Sequence, residues 1–269
     1  MEDYLANYKS YTKHAVFTFS RGCGGVGDVL KFFIFLVQLC MPHCIRVHFL
    51  CQDESLNNVL RLKDPDMYIS DANIGNRLNI DHMRQINDIA PGYYFMVHPR
   101  SMYDAFPMRD VDFNQIEHLA SCLFFFPNNI ICNANAFLDK HQLKSESYIS
   151  IHIRLGDKFL ENKPSIEYDV REYNEGAVFK FIEDNSSSKI ILFCDSNAYK
   201  SGIKARYNFI YTTDFDIGHS GLWNTTDLQM LNSVTEFYLI ANSTHIYKAS
   251  YSGFSIMASK FYGTPIDNI

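Results

Sequence analysis

Nowhere in these 269 residues is positive charge concentrated: Lys and Arg number 24 against 30 Asp and Glu, a formal net charge of −6. Holding a nucleic-acid backbone takes a concentrated basic face, so that class of partner is excluded. Cysteine pairing is missing as well. The seven cysteines are odd in number, and apart from Cys40 and Cys44 they show no short paired spacing, the usage of buried thiols in a reducing compartment. No Cys/His zinc spacing and no Gly-x-Ser-x-Gly elbow occur, which removes zinc modules and the hydrolases built on that turn. Nor does the chain open on a basic and then apolar leader, since residues 1–8 read Met-Glu-Asp-Tyr-Leu-Ala-Asn-Tyr. The longest apolar run, over 29–41, is too short to span a bilayer and is broken by Lys31 and Gln38. The expectation is a soluble cytoplasmic protein with no membrane anchor, in which the sequons at Asn185, Asn224 and Asn242 are coincidental. Internal repeats and low-complexity tracts are also absent.

What remains is an ordinary globular composition, 47% hydrophobic and 20% charged, arranged as strand then helix, repeatedly. Alternation predicts strands over 15–20, 45–51, 93–97, 148–153, 189–194, 208–211 and 245–249. Three-and-four spacing predicts helices over 29–39, 113–126, 131–141, 172–183, 197–204, 226–241 and 254–261. A polar break at 144–147 divides the chain into domains 1–144 and 145–269. The fold class expected is α/β, two Rossmann-like domains facing a cleft.

Two places carry chemistry. Residues 148–158 read Tyr-Ile-Ser-Ile-His-Ile-Arg-Leu-Gly-Asp-Lys. A strand with Ile149, Ile151 and Ile153 on its buried side would leave the other side polar and deliver His152, Arg154 and Asp157 to the sheet's carboxyl edge, where α/β folds bind ligands. The Arg154 guanidinium is a planar, always charged fork that fits phosphate oxygens, and Gly156 allows a sharp turn after it. The second place is Gly22-Cys23-Gly24-Gly25-Val26-Gly27, between a strand and a helix. It satisfies G-x-G-x-x-G, with Asp53 and Glu54 beyond the next strand, so an NAD(P)-dependent oxidoreductase stays open. So does a tight turn that needs glycine for packing alone. Asp-x-Asp pairs at Asp64 and Asp66, Asp110 and Asp112, and Asp214 and Asp216 leave a divalent-metal site to be considered, with only the last following a strand.

Gly-Gly-Val-Gly-Asp at 24–28, His-Ile-Arg-Leu-Gly-Asp at 152–157, and Glu-Phe-Tyr-Leu-Ile at 236–240 leading to Ser-Tyr-Ser-Gly-Phe-Ser at 250–255 form an ordered set. Together they resemble the superfamily of α1,2-, α1,6- and protein-O-fucosyltransferases. The resemblance implies the GT-B fold, inverting transfer of fucose from GDP-fucose, no metal and no cofactor. It implies a nucleotide-sugar donor and a glycan or glycoconjugate acceptor as partners. Domain 1–144 would serve the acceptor and 145–269 the donor, with the last helix packing back on the first domain, and the lack of an anchor suits a bacterial or viral enzyme rather than a Golgi-resident one.

Residue by residue, the resemblance puts Arg154 on the donor pyrophosphate and His152 beside the donor. It makes Asp157, Glu161 and Asp28 the candidates for a general base. Donor binding would draw on Gly24, Gly25 and Gly27 of the glycine loop, on Asp195 and Glu236 near the nucleoside, and on Ser250, Ser252, Gly253, Phe254 and Ser255, whose hydroxyls and N–H groups would face phosphate oxygens. Three positions depart from the pattern: Asp28 stands for a commoner asparagine, Glu236 for aspartate, and Leu155 for a frequent second arginine. The last keeps other nucleotide sugars, such as UDP-xylose, in view, as well as a non-catalytic sugar-nucleotide or glycan-binding module.

Overall fold

The computed structural model describes residues 2–78, 86, 89–98, 116–156, 159 and 170–269. Strands β1 (Lys13–Phe19) and β2 (Ile45–Cys51) are followed by the short β3 (Arg61–Leu62), β4 (Asn76–Leu78) and β5 (Tyr93–Val97). Of these, β2, β1, β5 and β4 form a parallel sheet in that order. Then β6 (Phe124–Phe125) pairs antiparallel with β3. The second half supplies β7 (Ile149–Ile153), β8 (Ile190–Cys194), β9 (Tyr211–Thr212), β10 (His245–Lys248) and β11 (Ile266–Asn268), a parallel sheet in the order β11-β10-β7-β8-β9. Two parallel sheets, each fed by helical crossovers, are the α/β architecture the alternation predicts.

Helix Val26–Cys40 holds the two halves together. It is apolar on nearly every face, with Phe32, Phe33, Ile34, Phe35 and Leu36 all at most 1% exposed, the pattern of a helix buried all round. Phe33 meets Phe17 of β1 edge-on at 5.7 Å. On another side lies helix Gly253–Tyr262, which also packs on helix Ile116–Leu123 of the first half. Helix Asn128–Lys140 in turn packs on helix Asp227–Ala241. One continuous core therefore runs from Ala15 and Phe17 to Phe193, Phe237 and Phe261. With the 3-10 turn Met41–His43, the stretch Val26–His43 is 18 residues of mean hydropathy 1.4, long and apolar enough to cross a membrane by length and composition. This corrects the shorter run read from the sequence. It is 61% buried inside the fold, as a core helix is.

β7 also differs from expectation in one respect. Ile151 and Ile153 enter a second core with Leu155, Val178, Ile182 and Leu192, but the opposite face is not open. Ser150 is 0% and His152 6% exposed, because a parallel sheet is covered on both faces.

Candidate active site

The carboxyl ends of β7 and β8 and the starts of helices Val26–Cys40 and Gly253–Tyr262 surround a cavity of about 380 Å³. The two helix starts touch backbone to backbone. A Cβ on Gly27 would lie 2.9 Å from the carbonyl carbon and oxygen of Gly253 and 3.1 Å from the Phe254 nitrogen. Helix N-termini carry partial positive charge, so their convergence makes this wall suited to an anion.

Arg154 projects from the turn after β7. Its main-chain N–H donates to Ser250 Oγ at 2.8 Å, and Ser250 donates back to the Arg154 carbonyl at 3.0 Å. Asp195, at the end of β8, accepts from the N–H groups of Leu155 and Gly156, each at 2.8 Å, and stands 3.2 Å from Arg154 Nη1. Gly156 has φ +114°, a backbone angle that only glycine adopts easily. One carboxylate thus fixes both the turn and the guanidinium. Asp195 lines the cavity, with Oδ1 on the Leu155 N–H and Oδ2 between the Gly156 N–H and Arg154.

His152 is stacked on Phe254, with ring centroids 5.7 Å apart. Its Nδ1 is buried without a hydrogen-bond partner. Burial, with the Arg154 charge adding, pushes its pKa down to about 3, so the ring is neutral at ordinary pH. Phe254 also meets Phe237 edge-on at 5.1 Å; packing holds it at the cavity wall. Glu236 lines the cavity from inside and is 4% exposed. Lys200, 1% exposed, donates to Glu236 Oε1 at 3.1 Å and to Thr213 Oγ1 at 2.9 Å. Burial raises the Glu236 pKa, and Lys200 and Thr213 oppose the shift.

Not every expected residue reaches the cavity. Ser250 is occupied by the Arg154 backbone. Ser255 is fully buried and its hydroxyl donates to the Ser252 carbonyl at 3.3 Å, while Ser252 accepts the Phe254 N–H at 3.3 Å as a helix cap. Ser250 and Ser255 therefore position the turn instead of offering hydroxyls to phosphate. Gly24, at φ +125°, packs against Gly221, where an added Cβ would stand 2.6 Å from the Gly24 carbonyl. Gly25, Gly27, Asp28, Ser252, Gly253 and Phe254 do line the cavity. Asp28 lies within the first helical turn and not before it: its Oδ2 accepts the Gly25 N–H at 3.1 Å, while its own N–H donates to the Gly25 carbonyl at 2.9 Å. Asp157 and Glu161 lie outside the described residues.

The second half also contributes a segment the sequence did not mark. Ser220 Oγ accepts the Val26 N–H at 2.7 Å, the Gly22 N–H donates to the Gly221 carbonyl at 2.8 Å, and Trp223 lies against Gly22. Segment 217–223 thereby covers the glycine loop. The rival uses of the loop lose support from this geometry. Asp53, which a dinucleotide ribose would need, is 6% exposed and paired to Arg21 at 2.8 Å. Asp216 is held by Gln229, both oxygens at 3.2 Å, and Asp214 pairs with Lys140 at 3.5 Å. Asp64 and Asp66 lie beside Lys9, and Asp110 and Asp112 are outside the described residues. Lys31, Arg171 and His219 line the cavity too and were missed. For Lys31 a signal existed, a lone lysine one turn into an otherwise apolar helix.

Two facing parallel α/β sheets with a cavity at their carboxyl ends and at two helix N-termini place the chain in the GT-B class of folds. No protein-family model matches the sequence, and no curated protein matches it. Among solved structures, a variant of Arabidopsis thaliana FUT1 in complex with GDP is similar over 100% of this chain and 73% of its own, with TM-score 0.59 and 12% identity. The NodZ α-1,6-fucosyltransferase co-crystallised with GDP is similar over 91% of each chain, with TM-score 0.57 and 11% identity. POFUT1 in complex with GDP is similar over 96% of this chain and 98% of its own, with TM-score 0.55 and 8% identity. The chain has the fold of these fucosyltransferases.

Proposed function

We infer that the protein is a glycosyltransferase that moves fucose from GDP-fucose to a glycan hydroxyl, with inversion and without a metal ion. The observation that carries this reading is Arg154, fixed by Asp195 on the wall of a cavity that two helix N-termini also face, in a fold shared with fucosyltransferases crystallised with GDP. In the transfer, the acceptor oxygen bonds to the anomeric carbon as the bond from that carbon to the β-phosphate oxygen breaks. The electron pair stays on the departing diphosphate, and a carboxylate takes the acceptor proton. Charge grows on the β-phosphate as the bond breaks, so a fixed guanidinium and helix N–H groups favour the transition state over the ground state. Of the three candidate bases, Asp28 is on the cavity wall contributed by residues 1–144, the acceptor side in this reading. Residues 145–269 would hold the donor, with Glu236 and Phe254 near the nucleoside.

Arg154→Ala is expected to keep the folded spectrum and lose transfer and GDP binding together. Calorimetric titration with GDP, UDP and NAD, beside a GDP-release assay with GDP-fucose and UDP-xylose over a set of glycan acceptors, checks this. Binding of UDP in preference to GDP would move the donor to another nucleotide sugar, binding without turnover on any acceptor would leave a binding module, and wild-type transfer by Arg154→Ala would sink the reading.

A further inference from the structure

Position 155, where the resemblance leads to the expectation of a second arginine, holds a leucine. Leu155 is 6% exposed and belongs to the second core, among Ile151, Ile153 and Val178, so its side chain points away from the cavity and a cation there would be buried in apolar surroundings. Arg154 meanwhile has a carboxylate 3.2 Å from its guanidinium, which offsets part of its charge. A diphosphate carries two or more negative charges, and among the described residues the second half of the chain lines the cavity with Arg154, partly neutralised, and the exposed Arg171.

The opposite wall supplies another cation. Lys31 lies one turn into helix Val26–Cys40 and lines the cavity. Its side chain is 13% exposed, its Nζ is 3.4 Å from Asp28 Oδ1 and 4.2 Å from the centre of the Phe32 ring. Asp28 accepts from the ammonium at a separation long for a charge-assisted hydrogen bond, and together with the ring face it orients the charge. Its low exposure limits screening by salt and water. Arg171, another cation on the cavity wall, is exposed and is screened more. We propose that Lys31 is a second phosphate-binding cation of the donor site, supplied by the first half of the chain, beside Arg154 of the second. The diphosphate would then be held across the cleft, between Arg154 of one half and Lys31 of the other. This rests on the nucleotide-diphosphate reading above.

The test compares GDP with GMP, because a cation on the outer phosphate discriminates between them and a residue that merely supports the fold does not. By calorimetry without acceptor, Lys31→Gln and Lys31→Met are expected to lower the ratio of GDP to GMP affinity by ~10-fold or more, the value of one charge-assisted contact, while Lys31→Arg keeps most of it. A ratio within twofold of wild type in a folded Gln or Met variant would overturn the inference. In the wild-type protein, acylation of Lys31 followed by peptide mass spectrometry should be slowed by GDP and less by GMP; equal labelling with and without GDP also overturns it. If the wild type binds no GDP, both this inference and the donor reading fall; if it binds GDP with an unchanged ratio in the variants, only this one does.

Discussion

His152 and His48 are the residues whose burial has the most direct consequence for solution behaviour. Each ring pKa is pushed down to about 3, chiefly by burial, with Arg154 adding in one case and Arg46, then His14, in the other. In the unfolded chain both would titrate near the ordinary histidine value of about 6.5. The unfolded state therefore takes up protons that the folded state refuses. Stability is complete above about pH 6.5 and declines as pH falls toward 3, by up to ~1.4 kcal/mol per pH unit for each ring. Urea unfolding at about pH 6, 5 and 4 should show this slope, and His152→Gln should reduce it by roughly one histidine's share; an unchanged slope would mean the ring is not held neutral. At this scale the place of Arg154 and His152 on the cavity wall was legible, since a strand that ends in Arg-Leu-Gly marks the carboxyl edge of a sheet. Asp195 was legible as a position on the cavity wall, but its hydrogen bonds were not, because nothing local in the sequence says that two N–H groups from β7's turn will reach it.

Among elements, the contact between helix Val26–Cys40 and helix Gly253–Tyr262 makes the sharpest demand. A methyl at Gly27 meets backbone, at 2.9 Å from the Gly253 carbonyl, and backbone cannot swing aside as a long side chain can. Gly27→Ala should cost about 1–3 kcal/mol through overpacking and weaken GDP binding by parting the two helix starts. Gly253→Ala, whose methyl meets nothing within 4 Å, should be nearly silent in the same thermal measurement. Strands β2 and β5 begin and end where alternation predicts. Helix Val26–Cys40 starts three residues before the predicted 29, because Gly25 stands at the N-cap and the Asp28 side chain, already inside the first turn, accepts the Gly25 N–H. β9 was expected over 208–211, but Ile210 closes a turn onto Tyr207 and the strand begins at Tyr211. β4 and β11, three residues each, owe their existence to a neighbouring strand's edge, and no local pattern encodes them.

For the molecule as a whole, the seam between the halves is tied by Arg21. It pairs with Asp53 at 2.8 Å, donates to the Thr225 carbonyl at 2.5 Å and to Ser55, and reaches Asp227 at 3.1 Å. Asp53 is buried, so Arg21→Ala leaves a carboxylate without its cation and should destabilise by about 3–5 kcal/mol. Asp227 is 85% exposed, and Asp227→Ala should shift the midpoint only slightly, since water replaces it. Chemical unfolding of both variants checks the contrast; equal losses would mean that the seam contact matters as much as the buried pair. Beside this network stands Trp223, the chain's one tryptophan, 74% exposed, with its indole edge against Gly22. All indole emission from the protein thus originates at the seam. Any lifting of segment 217–223 exchanges peptide for water along that edge, so the molecule carries an optical gauge of its own closure, readable without a dye.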